Sequence, residues 1–191
     1  MVWRGQADEA DPPPYFKFFW YRFSMATAIK MTSADIELAL THAGAPLCRR
    51  RWVVVPNVSW GWGLRYEADL IALSKTGNAT EVEIKVSKYD LRADAAKDKW
   101  KDGISKKISR FFYAVPSELE QEALAVIPPD CGLYVVTESK SGLRTAKIVR
   151  PAKERAGSRK PDAEEILKLH HLACMRYWDL RSRQNTNRAQ S

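Results

Sequence analysis

The pentapeptide EVEIK constrains the fold of this chain more than any other segment. Successive side chains of a β-strand point to opposite faces of the sheet. Glu81, Glu83 and Lys85 would therefore share one face, and Val82 and Ile84 the other. Ions on such a strand are costly unless they meet a metal, a phosphate or water. The pattern predicts a strand with one face in the core and one face that carries charge.

A second apolar run, YEADLIAL at residues 66–73, precedes this strand and carries Asp69. The residues between the two runs, SKTGN, are typical of a turn. If the two strands form a hairpin, Asp69 comes beside Glu83 and Lys85. Two carboxylates and a lysine would then form a hard-cation site with a positive group next to it.

A simpler interpretation of the charged face stays open at this point. Acids and a lysine on one strand face are usually solvated or joined in a cross-strand ion pair. Glu81, which is in register with Glu83, is expected to be structural or peripheral. Glu37 also has two interpretations, because an acid in that position can simply favour the N-terminus of a helix.

Composition narrows the class of protein. The chain has 191 residues, enough for one domain with appended ends, and its net charge of +8 favours a polyanionic partner. Charge alone does not choose between DNA, RNA and a membrane surface. Three widely spaced cysteines form neither a zinc spacing nor a disulfide framework, which is typical of the reducing cytoplasm. No apolar run approaches the roughly 20 residues of a membrane helix, so no membrane partner is expected.

The chain divides by composition into five parts. The first is polar and then rich in aromatic residues between positions 15 and 23, too short and bulky for a signal-peptide core. We interpret it as an arm that docks on the domain, with an interfacial anchor or an extension upstream of Met25 as alternatives. The parts are the arm (1–31), the core (32–150), a basic linker (151–161), a C-terminal helix (162–183) and a disordered tail (184–191).

Hydrophobic periodicity and capping residues predict the order of elements in the core. A first helix begins at Thr32 or Ser33 and stops at Gly44. The expected strands are 52–55, 66–73, 81–86, 110–115, 132–137 and 143–150, and the further helices are 90–107 and 118–126. One helix on each side of a mixed sheet would cover its apolar faces.

These residues carry a family resemblance. Asp69 followed by Glu83, Ile84 and Lys85 in an αβββαβ order resembles the PD-(D/E)XK nuclease superfamily, with Ala68 in the place of the signature proline. A closer likeness extends over about residues 33–150. Its segments ADLIAL, VEIKVSKYDLRAD, DKW, RFFYAVP and CGLYVV resemble the MmcB-like family of DNA repair proteins.

The resemblance implies an α/β fold of the restriction-endonuclease type, with a mixed central sheet flanked by helices, an added strand pair and a C-terminal helix. It also implies a nuclease that uses Mg²⁺ or Mn²⁺ to hydrolyse DNA. Asp69 and Glu83 would be metal ligands, and Lys85 the catalytic lysine. Glu37 matches the place of an orienting or metal-contacting acid, and the Ile84 carbonyl is available as a third oxygen.

Two further positions follow from the resemblance. Ser87 matches a polar position just beyond the lysine. Ser109 stands where an acid often precedes the arginine of the RFFYAV segment. The stretch between the lysine and the DKW motif is also longer than is usual, which affects substrate positioning more than metal binding.

Lysines and arginines crowd the region after the motif and could hold phosphates along a groove. The candidates are Lys88, Arg92, Lys97, Lys99, Lys101, Lys106 and Lys107. Acids at every fourth position, from Asp90 to Asp102, give the alternative of a solvated, ion-paired helix face. The basic stretch from Lys147 to Lys160 is a second candidate, as a flexible arm.

Aromatic residues add a third type of candidate contact. Trp60, Trp62 and Tyr66 could stack on the bases of a single strand. The alternative, which we favour, is that they pack in the core, because aromatics beside glycines often fix a turn.

Three hypotheses for function result. The first is a metal-dependent endonuclease or exonuclease in DNA repair, and the second is a nucleic-acid-binding module without turnover. The third is an adaptor that binds other repair proteins through the arm or the terminal helix. Restriction-like folds often work as dimers on duplexes, so a homodimer is compatible with each.

Overall fold

The computed structural model describes residues 30–95 and 104–189. Those from Met31 onward belong to one compact unit. The described helices are α1 (Ser33–Thr41), α2 (Lys88–Ala95), α3 (Glu120–Val126) and α4 (Ala163–Ala189). The strands are β1 (Val53–Val58), β2 (Ala68–Leu73), β3 (Ala79–Ile84), β4 (Ile108–Pro116), β5 (Gly132–Glu138) and β6 (Arg144–Arg150), with short 3-10 turns at Trp60–Trp62 and Ser117–Leu119. The predicted arm, except for its last two residues, lies outside the described residues.

All six strands form one mixed sheet in the order β1-β2-β3-β4-β5-β6. The strands from β1 to β3 pair antiparallel, as do β5 and β6, whereas β3, β4 and β5 run parallel. The predicted hairpin is confirmed as the pair β2–β3, in which Leu70 lies opposite Val82. The fold class is therefore α/β, consistent with a restriction-endonuclease-like core.

Helices cover both faces of the sheet, so strand β3 is buried on both sides. One face packs on α1 through Ile36 and Leu40. The other packs on the remaining helices, for example through Leu91 of α2 and Leu169 of α4. The solvated-face interpretation of the EVEIK strand is wrong, because the exposed fractions of Glu81 and Glu83 are only 0% and 6%.

Helix α1 begins where the sequence predicts. The Thr32 hydroxyl accepts a hydrogen bond from the Asp35 amide, and the Asp35 carboxylate accepts one from the Thr32 amide at 2.9 Å. This reciprocal capping box satisfies two donors that the first turn would otherwise leave open. The bonds from Thr32 also lower the pKa of the Asp35 carboxyl. Beyond the helix, Gly44 has φ of +87°, a left-handed conformation that glycine adopts without a steric cost.

Helix α2 begins earlier than predicted, because Ser87 caps it. The Ser87 hydroxyl accepts from the Asp90 amide at 3.2 Å and donates to the Asp90 carboxylate at 2.7 Å. Ser87, which the resemblance placed beside the catalytic lysine, therefore has a structural role as a helix cap. Residues 96–103, which include most of the second half of the predicted helix, lie outside the described part of the chain.

The segment after β6 is tied to the core more closely than a linker. The Arg155 guanidinium donates to three main-chain carbonyls just before and within β4, those of Ile104, Ser105 and Ile108, at 2.9–3.2 Å. The Arg155 amide also donates to the Ser109 carbonyl at 2.9 Å. This packing holds residues 151–161 against the start of β4.

Helix α4 is longer than predicted. It continues past Arg183 to Ala189, since the sequence offers no glycine or proline after Pro161 to end it. The expected tail from residue 184 is therefore helical as far as the structure describes it. None of the helices described combines the length and the hydropathy that crossing a membrane requires.

Candidate nuclease-like site

The antiparallel hairpin brings the candidate residues to one end of the sheet. Asp69 stands at the start of β2, and Glu83 stands at the end of β3, next to Ile84. The Asp69 carboxylate accepts a hydrogen bond from the Ile84 amide at 2.7 Å. Asp69 is thus held against the main chain of the same strand that carries Glu83 and, just beyond its end, Lys85.

Lys85 and Glu83 form a close ion pair at this end. The Lys85 ammonium lies 2.6 Å from the Glu83 carboxylate, and the side chains are 14% and 8% exposed. Burial disfavours the charged amine, but the hydrogen bond and charge of Glu83, with smaller effects of other acids, outweigh it, so the pKa of Lys85 is raised. Lys85 is therefore a cation, suited to offset negative charge rather than to accept a proton from water.

A second acid lies on the other side of this lysine. Asp94, on α2, has an oxygen 3.9 Å from the Lys85 ammonium. Its other oxygen accepts a hydrogen bond from the Tyr113 hydroxyl of β4 at 2.8 Å. The side chains of Asp94 and Tyr113 are 1% and 0% exposed, so this chain of contacts lies in the interior. Burial and the charge of Asp94 raise the pKa of Tyr113, which keeps the phenol as a neutral donor.

Asp94 contacts the candidate site, and the sequence interpretation missed it. The sequence assigned it to a solvated ladder of acids, whereas the structure buries it. The sequence did contain a signal for the burial of Asp94. Residues three apart share a helix face, and Leu91, three positions before Asp94, is fully buried. The interpretation of the acids as one solvated ladder is therefore wrong at this position.

Glu37 lies half-buried on α1 and is influenced by Asp69. Burial raises the pKa of the Glu37 carboxyl, and the negative charge of Asp69 raises it further. The two carboxylates are thus close enough to repel each other. Glu37 therefore lies close enough to the candidate site to interact with the charge of Asp69.

The carboxylates of Glu37, Asp69 and Glu83 are of the chemical type that binds a hard divalent cation. Carboxylate oxygens are the ligands that Mg²⁺ and Mn²⁺ prefer, and the repulsion between Glu37 and Asp69 is what a cation would relieve. Within residues 30–95 and 104–189, no three acid, histidine or cysteine side chains converge closely enough to hold a metal. Asp69 is turned to the Ile84 amide and Glu83 to Lys85.

Glu81 lies further back on the same strand and has a structural contact. Its carboxylate accepts a hydrogen bond from the Tyr66 hydroxyl at 2.6 Å. Burial, followed by the charge of Glu81, raises the pKa of Tyr66, which therefore stays a protonated donor. This bond joins the strand to the loop before β2, and Tyr66 is engaged in the interior rather than presented for stacking.

Two of the proposed phosphate-binding cations lie near the site. Lys88 and Arg92 are exposed on α2, whose first residue follows Lys85 by three positions. Arg92 is paired with Glu122 of α3 at 2.6 Å. Lys97, Lys99 and Lys101 lie outside the described residues.

The two remaining cations lie at the other end of the sheet. Because β3 and β4 run parallel and Ala79 lies opposite Ile108, Lys106 and Lys107 precede the end remote from Glu83. The Lys107 ammonium donates to the Trp62 carbonyl at 2.7 Å and pairs with Glu165 at 3.0 Å. Lys107, expected to hold a phosphate, is thus a structural residue that joins the start of α4 to the core.

Trp62 packs in the core, as favoured from the sequence. Its side chain is 1% exposed, and the indole N–H donates to the Glu165 carbonyl at 2.8 Å. The Lys107 ammonium lies 5.2 Å from the centre of its ring. The side chain of Trp60 lies outside the described part of the chain.

The mixed six-stranded sheet, with helices on both faces, defines an α/β protein with a restriction-endonuclease-like core. The chain belongs to the MmcB-like DNA repair protein family, whose model matches residues 19–176. Membership in this family links the chain to DNA repair.

A solved structure agrees with this fold. The SPO1766 protein of unknown function from Silicibacter pomeroyi is 27% identical, with a TM-score of 0.52. The similarity covers 71% of this chain and 84% of that chain. A comparison with functionally curated proteins finds no match.

Proposed function

We propose that this protein is a divalent-cation-dependent nuclease that hydrolyses phosphodiester bonds of DNA during repair. The observation that supports it most is the close grouping at one sheet end: the Lys85 ammonium is 2.6 Å from Glu83, on the strand whose Ile84 amide holds Asp69 at 2.7 Å. The Lys85 side chain is only 14% exposed, so this ion pair lies largely out of solvent, unlike an ordinary surface pair.

Asp69 and Glu83 would hold the cation, Mg²⁺ or Mn²⁺, with the Ile84 carbonyl and Glu37 nearby. When bound, such an ion polarises a phosphoryl oxygen and lowers the pKa of a water. Lys85 has its own part. Its raised pKa keeps the ammonium charged, so it can stabilise the negative charge that develops on the phosphate.

A second candidate function is DNA binding without turnover. The observation that favours it is that Asp69 and Glu83 have partners inside the protein, and that no three potential ligands of the described residues converge. On this hypothesis the carboxylates stabilise the sheet end, and the exposed cations Lys88 and Arg92 bind phosphates.

The test is a cleavage assay on single-stranded, duplex, flap, nicked and abasic DNA, with Mg²⁺, Mn²⁺ or EDTA. Asp69→Asn is the sharpest variant, because the amide oxygen can still accept from the Ile84 amide while the charge is lost. Lys85→Met is the second. Lys140→Met, on the exposed turn between β5 and β6, is the control. Circular dichroism checks that each variant is folded.

Asp69→Asn and Lys85→Met should each lower the cleavage rate by about 100-fold or more, the scale of a lost electrostatic stabiliser. Lys140→Met should cleave like the wild type. If the two site variants retain wild-type rates, the proposed active site is wrong. If the wild type binds DNA in a salt-sensitive manner but cleaves none of the substrates, the second candidate is correct.

A further inference from the structure

The C-terminal half of α4 carries aromatic side chains that the domain does not cover. All side chains from Cys174 to Thr186 are exposed. Among them, Trp178 is 64% exposed, and Tyr177 is 52% exposed. Exposing more than half of a large aromatic ring to water is unfavourable. A group of such exposed apolar side chains marks an interaction surface.

The same stretch is basic. Arg176, Arg181 and Arg183 are accompanied by a single acid, Asp179. The rings of Tyr177 and Trp178 lie edge to face with centres 5.4 Å apart, and the Arg181 guanidinium lies 5.9 Å from the centre of the tyrosine ring. Aromatic faces interleaved with arginines suit a ligand that is both planar and anionic.

The helix points this surface toward the sheet end that holds the candidate site. Near its start, Glu165 pairs with Lys107, which precedes β4 at the remote end. Arg176, eleven positions later, donates to the Asn57 carbonyl at 2.8 Å. Asn57 lies near the end of β1, and its neighbour Val58 lies opposite Ala68, the residue before Asp69. The helix therefore runs from the remote end to the site end.

Beyond Arg176 the helix continues to Ala189, roughly 20 Å further at 1.5 Å per residue. The aromatic and basic side chains thus lie on a projection from the sheet end where Asp69 and Glu83 stand. A nucleic-acid strand bound on this projection could extend to the site without crossing the sheet.

We propose that Tyr177, Trp178 and Arg181 of α4 bind a single-stranded segment of DNA next to the candidate site, with unpaired bases stacked on the rings and phosphates paired with the arginines. This inference rests on the proposed function and adds to it the form of the substrate. It assigns the aromatic contact to the terminal helix, not to the buried Trp62.

A second copy of the chain is the rival occupant of this helix. An apolar groove of about 600 Å³ beside Leu167, Leu172 and Met175 could receive an apolar side chain. The excess of arginine over acid beyond Met175 opposes pairing of two such helices and favours a polyanion. Charge complementarity therefore favours DNA.

The experiment measures binding of a fluorescein-labelled oligothymidylate and of a labelled duplex by fluorescence anisotropy, in EDTA to prevent cleavage. Full-length Trp178→Ala and Tyr177→Ala are compared with Leu180→Ala, an apolar residue of similar exposure on the same helix. Since stacking on one aromatic ring is worth about 1–3 kcal/mol per base, Trp178→Ala should weaken single-strand binding about tenfold. Leu180→Ala should bind within about twofold of the wild type, on the scale of ordinary surface substitutions.

Wild-type affinity of Trp178→Ala and Tyr177→Ala for the oligothymidylate would overturn the inference. An equal loss of affinity in Leu180→Ala would also overturn it. If Trp178→Ala changes the protein from dimer to monomer in light scattering but leaves its DNA affinity unchanged, the partner of this helix is a second copy of the chain, and the inference is wrong. If the Trp178→Ala defect is found but no substrate is cleaved, the nuclease proposal fails and the binding surface stands. If cleavage depends on Asp69 but DNA affinity is independent of Trp178, only this inference fails.

Discussion

Removing the hydroxyl of Tyr113 should destabilise the protein by about 2 kcal/mol. This hydroxyl donates to the Asp94 carboxylate at 2.8 Å, and both side chains are almost completely buried. Hydrogen bonds to charged groups contribute about 1.5–3 kcal/mol, and Tyr113→Phe leaves the carboxylate with one donor fewer in the interior. For a unit of this size, a loss of 2 kcal/mol lowers Tm by about 4–8 °C.

The assay is urea and thermal unfolding followed by circular dichroism, with Tyr134→Phe as the matched control. Tyr134 is also buried, on the neighbouring strand β5, and its ring stacks on Phe112. Within the described residues its hydroxyl has no hydrogen-bond partner, and burial alone raises its pKa. Tyr134→Phe should therefore change stability by less than about 0.5 kcal/mol. Equal effects of the two substitutions would refute the role assigned to the Tyr113–Asp94 bond.

Two further predictions concern Glu37 and Glu165. Glu37→Gln removes the repulsion between Glu37 and Asp69. Without metal, the variant should be more stable than the wild type by on the order of 0.5 kcal/mol in thermal unfolding, and a loss of stability would contradict the repulsion. Calorimetry should show that the variant binds Mn²⁺ more weakly. Hydrogen bonds, first from Arg159, hold the pKa of Glu165 at about 2, below the unfolded value of about 4.3. Its stabilising effect is therefore complete above that value and lost as pH falls toward 2. Glu165→Gln should cost about 1–2 kcal/mol in urea unfolding at pH 7, and the difference from wild type should vanish near pH 2; a constant difference would contradict it.

The parts of the fold that follow local patterns could be predicted from the sequence. The alternation of charge and apolar side chains in EVEIK, and the turn residues before it, predict the β2–β3 hairpin that brings Asp69 beside Glu83. The predicted start of α1, at Thr32 or Ser33, is confirmed, with Thr32 as the cap; the bonds that fix it join residues three apart. In each case, the residues that contact each other are close in sequence, or they lie on the same face of a strand because side chains alternate every two residues.

Contacts between distant residues were not predictable from these patterns. Asp94 reads as one acid in a charged helix, and only the packing of α2 against β4 shows that it meets Tyr113. Lys107 reads as one more phosphate-binding cation, but its ammonium is occupied by the start of α4. A side chain's partner depends on which helix face is buried, and the charge pattern alone does not specify that face.

Arg155 makes the order of synthesis important for this fold. Its guanidinium completes the hydrogen bonding of carbonyls in Ser105 and Ile108, although it follows Ser105 by 50 residues. At about 5–20 residues per second, a ribosome reaches Arg155 about 2–10 seconds after Ser105. A nascent chain that ends at Arg150 contains all six strands but lacks the donor that Arg155 supplies to the Ile108 carbonyl of β4. Such a chain should be less stable than the full-length protein.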